Sequence, residues 1–129
     1  MTITFESFKD ENYVHVKWTG DLSSKEIIEY YKYFHESSEW APGMNELIDL
    51  SLFDFKNVTS QGLMQMAEYS ESVCKNNNIS HFKSACHCPQ DVQKGMVHAF
   101  SIWADESPEL VKIFNDLGKA KEWLVGNNK

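Results

Sequence analysis

The hydrophobic period of this chain changes abruptly near Asp21, and that change limits what it can fold into. Upstream, "YVHVKW" alternates strictly. Val14, Val16 and Trp18 fall on one face and Tyr13, His15 and Lys17 on the other. "TITFES" alternates in the same way through Ile3 and Phe5. Period two over neighbouring segments predicts two half-buried strands. The turn residues of "FKDEN" between them predict an antiparallel pair. Downstream, "GDLSSKEIIEYYKYFHES" has a helical period, with Ile27, Tyr31 and Phe34 on one face. Ser23 and Glu26 have the spacing of a capping box, which satisfies two exposed amides where the helix starts.

The switching continues to the end of the chain. "MNELIDLS" predicts a central strand after the break at Pro42 and Gly43. "SLFDFKNV" is then expected to be an apolar loop. A helix is predicted from Ser60 to about Lys75, with Leu63, Met66, Ala67, Ser70, Val73 and Cys74 as its inner stripe and "NNN" ending it. "HFKSACHC" predicts a strand stopped by Pro89. "DVQKGMVHAFSIW" predicts a helix capped by Asp91, with Val92, Met96, Ala99, Phe100 and Trp103 facing inward. "ELVKIFN" and "DLGKAKEWLVG" predict a last strand and a last helix, the latter closing at Gly126. The order is β-β-α-β-α-β-α-β-α. Strands separated by helices imply crossovers and a largely parallel sheet, to which the opening hairpin adds an antiparallel strand. The expected fold is α/β, a mixed sheet of about five strands with four main helices, in a single domain over residues 1–129.

Charge and composition exclude several functions. The formal net charge is -7, and all twelve basic residues are lysines. An acidic chain without guanidinium groups is a poor ligand for nucleic acid, so none is expected. No basic region followed by an apolar run opens the sequence, and no apolar stretch is long enough to span a membrane. Cys74, Cys86 and Cys88 make an odd count, which fits reduced thiols and a cytoplasmic location.

Four stretches in this order, "GDLSSKEI", "APGMNELIDLS", "ACHCPQDVQKGMVHAF" and "VKIFNDLGKAKEWL", resemble the STAS superfamily, in particular its single-domain branch similar to the anti-sigma-factor antagonist SpoIIAA. In switch members of that superfamily the helix after the third strand opens Asp-Ser-Ser-Gly-Leu, and its first serine is phosphorylated. Here the segment is "TSQGL". The resemblance puts Ser60 at the phosphoacceptor position and matches Gly62 and Leu63. Thr59 replaces the aspartate and Gln61 the second serine.

From its residues alone, Ser60 is expected to be the N-cap of its helix, a position serine favours because its hydroxyl accepts an amide hydrogen bond. Cys86, His87 and Cys88 are close in sequence, but alternation on a strand sends His87 to the face opposite the thiols, so no metal is expected. No nucleotide-binding glycine motif and no nucleophile–base set is recognisable, so neither a cofactor nor catalysis is expected. Phe53, Phe55, Thr59, Ser60 and Trp103 are the candidate ligand or partner surface, because large apolar residues at element ends must be covered by something. The leading expectation is a non-catalytic, protein-binding regulatory module, with a homodimer as one form of partnership. The alternative is a carrier of a small apolar or lipid-like ligand, as the resemblance to SEC14-type domains implies.

Overall fold

The computed structural model describes residues 2–126; Met1 and residues 127–129, part of the span expected as one domain, lie outside the described residues. The strands are β1 (Thr2–Phe8), β2 (Tyr13–Gly20), β3 (Asn45–Phe53), β4 (Phe82–His87) and β5 (Glu109–Phe114). The helices are α1 (Ser24–His35), α2 (Ser60–Asn76), α3 (Asp91–Trp103) and α4 (Leu117–Val125). The sheet order is β1-β2-β3-β4-β5. β1 runs antiparallel to β2, placing Phe5 opposite Val16. Every other pair is parallel, as the alternation of strands and helices predicts.

Two cores form because the sheet is covered on both faces. Val16, Trp18, Ile48 and Cys86 pack beneath α1, α2 and α3 with Ile27, Leu63 and Val97. Tyr13, Leu47 and Ala85 pack on the other face against Ala120 and Leu124 of α4. The capping box of α1 forms as expected. Ser23 Oγ accepts the Glu26 amide at 3.3 Å, and Glu26 Oε1 accepts the Ser23 amide at 2.9 Å.

Three local expectations are corrected. First, Thr59 and not Ser60 caps α2. Thr59 is extended (φ −95°, ψ 168°) and its Oγ1 accepts the Gly62 amide at 2.9 Å, which leaves Ser60 as an exposed first-turn residue. Second, "SLFDFKNV" is not an apolar loop. β3 continues through Phe53, and residues Phe55–Asn57 form one 3-10 turn. Phe53 and Phe55 are buried, their rings 4.9 Å apart and edge-on, with Trp18 against both; only Leu52 of the apolar trio is exposed. Third, α3 packs Met96, Ala99 and Phe100 against the core as expected, but the two ends of its expected stripe turn outward. It begins after Gln90 rather than being capped by Asp91. Val92 and Trp103 are exposed, and Gln93 is buried instead. Gln93 Nε2 donates to Leu50 O at 2.7 Å and Phe53 O at 3.2 Å, so this pair of hydrogen bonds to β3 sets the rotation.

Gly62 is fixed by contact. A Cβ there would overlap Ser24 Oγ and lie 2.7 Å from Ser24 Cβ, so the starts of α1 and α2 touch with no room for a side chain.

Candidate functional site

The parallel strands place two glutamates on the same face. Alternation through β3 turns Glu46 to the side of Ile48 and Leu50, and alternation through β5 turns Glu109 to the side of Val111. Glu46 pairs in register with Ser84 on the intervening β4. Ser84 Oγ donates to Glu109 Oε2 at 2.6 Å, and Ser70 Oγ from α2 donates to Glu109 Oε1 at 3.0 Å.

Both carboxyl groups open onto a cavity of about 110 Å³ between this face and α1–α3. Its walls are mostly apolar, with Ile27, Leu63, Met66, Met96 and Val97 among them. Trp18, Tyr31, Trp40, Phe55 and Tyr69 add aromatic rings. Ser7 Oγ and Lys9 Nζ donate to the carbonyls of Glu39 and Ser38, which fastens the segment after α1 and holds the Trp40 ring 4.7 Å from that of His35.

Burial sets the ionisation of these groups. It pushes Glu46 up to about 8, with the Glu109 charge adding to the shift. Burial also raises Glu109, and the hydroxyls of Ser84 and Ser70 pull in the opposite direction. His35 is pushed down to about 4 by burial and shares a 2.7 Å hydrogen bond with the Tyr69 hydroxyl. Burial raises Cys86 well above its ordinary value and Cys74 to about 11, so both thiols stay protonated at neutral pH. Among the described residues no lysine lines the cavity. The site they form is therefore apolar, weakly acidic and without a cationic side chain.

A second cluster lies on the opposite face. Asp49 Oδ1 accepts from His87 Nδ1 at 2.9 Å and from the Ser51 amide at 3.0 Å. Burial alone would raise Asp49, but the Ser51 hydrogen bonds and His87 outweigh it and the net shift is downward. The pair orients an imidazole. Among the described residues no hydroxyl or thiol is hydrogen-bonded to the other ring nitrogen of His87, so no nucleophile–base set is assembled there.

The structure brings Phe53 and Phe55 together and places Thr59 and Ser60 at the same end of the sheet, but separates Trp103 from all four. Phe53 and Phe55 are core, and Phe55 also lines the cavity. Thr59 and Ser60 follow the carboxyl end of β3, whereas Trp103 precedes the amino end of the parallel β5, at the opposite end of the sheet. Cys86 faces the cavity and His87 faces away, the opposed directions expected from alternation. Among the described residues no group of three histidine, cysteine or acidic side chains could hold a metal, and no helix is long and apolar enough to cross a membrane. Glu46 and Glu109 are the candidate site residues missed from sequence. The signal was present, since each begins an inward-facing row of alternating residues.

No family model and no curated protein matches the chain. A solved structure does. It is that of an uncharacterized protein from the DUF3478 family with a SpoIIAA-like fold, from Shewanella loihica PV-4. It superposes with a TM-score of 0.53 at 17% identity, over 95% of this chain and 92% of that one.

Proposed function

Starting from the SpoIIAA-like fold that this chain shares with that protein, we propose that it is a single-domain, non-catalytic binding module of the cytoplasm that holds a small, largely apolar molecule between its sheet and α1–α3. The observation that supports this is the cavity of about 110 Å³, walled by apolar and aromatic side chains and carrying a few polar groups. An apolar cavity of about 150 Å³ binds benzene, so this smaller one suits a ligand of at most about six non-hydrogen atoms. A lipid acyl chain exceeds that volume, which narrows the ligand to compact molecules. The three buried free cysteines fit a reducing compartment.

Thermal unfolding in the presence of benzene measures this directly. A ligand that binds only the folded state stabilises it by about 1.4 kcal/mol at tenfold excess over its dissociation constant. The midpoint should rise with benzene concentration and then follow that logarithmic dependence. An unchanged midpoint up to the solubility limit of benzene would remove the proposal.

A second reading, a regulatory module that binds a protein partner, is favoured by the exposure of Ser60 in the first turn of α2. A phosphate there would meet unpaired amides and the positive end of the helix dipole. Pull-downs with wild type, Ser60→Ala and Ser60→Asp measure it. Identical partner sets for all three would eliminate the switch.

A further inference from the structure

We infer that the cavity recognises a compact aliphatic amine, bound as its ammonium ion with the Glu46 carboxylate as counter-ion. This rests on the cavity being a ligand site, and it specifies the ligand's chemistry.

The geometry begins with Glu46. Its side chain is half-buried, lines the cavity, and makes no hydrogen bond to any described residue. Ligand sites are mostly apolar with a few polar groups that fix orientation, so a carboxyl group without a protein partner on the wall of an apolar cavity points to a ligand that supplies the partner. Glu109 differs, because both its oxygens already accept serine hydroxyls.

The surroundings select the sign of the ligand. From β3 and β5 the cavity receives the two carboxyl groups, and from β4 the protonated thiol of Cys86. From α1 come Tyr31 and the neutral His35; from α2 come Tyr69 and the protonated Cys74. From α3 come only Met96, Val97 and Phe100, none of which titrates. Among the described residues an anion would meet two acids and no cation. A neutral molecule would leave Glu46 an unpaired acid. An ammonium ion would gain a carboxylate and, in the same cavity, the rings of Tyr31, Trp40 and Tyr69, which attract cations. The remaining apolar wall takes the ligand's hydrocarbon part.

Proton balance gives the inference its own signature. Free Glu46 keeps its proton up to about pH 8. A free alkylamine is an ammonium ion below about pH 10, as lysine is. Pairing the two as ions therefore releases one proton from Glu46 at lower pH. Affinity must rise with pH up to about 8 and then level off, with a limiting slope of about tenfold per unit.

Isothermal titration of the whole chain with isopentylamine and with its uncharged counterpart isopentanol, between pH 6 and 9, separates the possibilities. The amine should bind at least about tenfold more tightly than the alcohol at pH 8, a difference of about 1.4 kcal/mol. Its affinity should climb between pH 6 and 8, with proton release visible as a dependence of the heat on buffer, while the alcohol's affinity stays flat. Glu46→Gln should bring the amine to the alcohol's affinity and remove the slope. Alcohol binding without amine preference would overturn the amine inference and leave the binding-module reading standing. Binding of neither would overturn both. The slope is read on the wild-type chain, so it decides the matter whether or not the variant folds.

Discussion

Ser84 Oγ and Glu109 Oε2 lie 2.6 Å apart across neighbouring strands, and this bond decides how two buried acids divide one charge. With Ser70 donating to the other oxygen, Glu109 accepts at both and is the better carrier of the negative charge. Glu46, without such donors, keeps its proton until about pH 8. The environment thus separates two carboxyl groups of the same kind into an acceptor and an acid.

That division makes stability depend on pH. Glu46 ionises near 8 when folded and near its ordinary 4.5 when unfolded, so its contribution is fully present below 4.5 and is lost as pH rises toward 8. His35 acts oppositely: its folded value near 4 lies below the ordinary 6.5, so stability falls as pH drops through that window. Between 4.5 and 6.5 the two slopes oppose each other, and above 6.5 the carboxyl groups dominate. Urea unfolding should show stability falling from pH 6.5 to 8. Glu46→Gln should reduce that slope by about 1.4 kcal/mol per pH unit, the value for one proton. An unaltered slope in the variant would refute the assignment.

Gly62→Ala should destabilise the fold by about 1–3 kcal/mol, the usual range for overpacking. Helix propensity alone predicts the reverse, since alanine exceeds glycine by about 1 kcal/mol in a helix interior. The opposite sign comes from Ser24, whose side chain occupies the space a Cβ would need. Pairing Gly62→Ala with Ser24→Gly should recover most of the loss, and denaturant midpoints of the four-member cycle would show whether it does.

Thr59→Ala should cost about 0.5–2 kcal/mol, the range for a lost N-cap, because it removes the acceptor for the Gly62 amide. Ser60→Ala, at an exposed position with no cap bond, should stay within about 0.5 kcal/mol of wild type. Equal effects in chemical unfolding would contradict the assigned cap.

Gln93→Leu should cost about 1–3 kcal/mol by leaving the carbonyls of Leu50 and Phe53 without their buried donor. Val92→Gln, one position earlier and exposed, should be near neutral. A neutral Gln93→Leu would place the anchor of α3 elsewhere.

Much of this architecture was legible in the sequence because period reports burial. Val14, Val16 and Trp18 mark the inner face of β2, and Ser23 with Glu26 marks the start of α1. Where neighbouring residues were chemically equivalent, sequence could not choose. Thr59 and Ser60 are both good caps, and the choice between them comes with the close contact of Gly62 and Ser24, residues far apart in the chain. α3 carries apolar residues around most of its circumference, so its stripe fits more than one rotation. The hydrogen bonds of Gln93 to β3 decide it, and they exist only once the start of α3 lies beside the end of β3. The cavity was hidden for the same reason. Glu46 and Glu109 look like ordinary strand starts until parallel pairing sets both beside Ser84.

The most direct measurement of the central claim is methyl NMR on chain labelled with carbon-13 at methionine, titrated with benzene. Met44, Met66 and Met96 line the cavity, and Met64, on the same helix as Met66, does not. Ligand binding in the cavity predicts saturable shifts of the Met44, Met66 and Met96 methyls with Met64 unmoved. Benzene shifts absent from all four, or equal at Met64 and Met66, would contradict the claim that this chain holds its ligand beneath α1–α3.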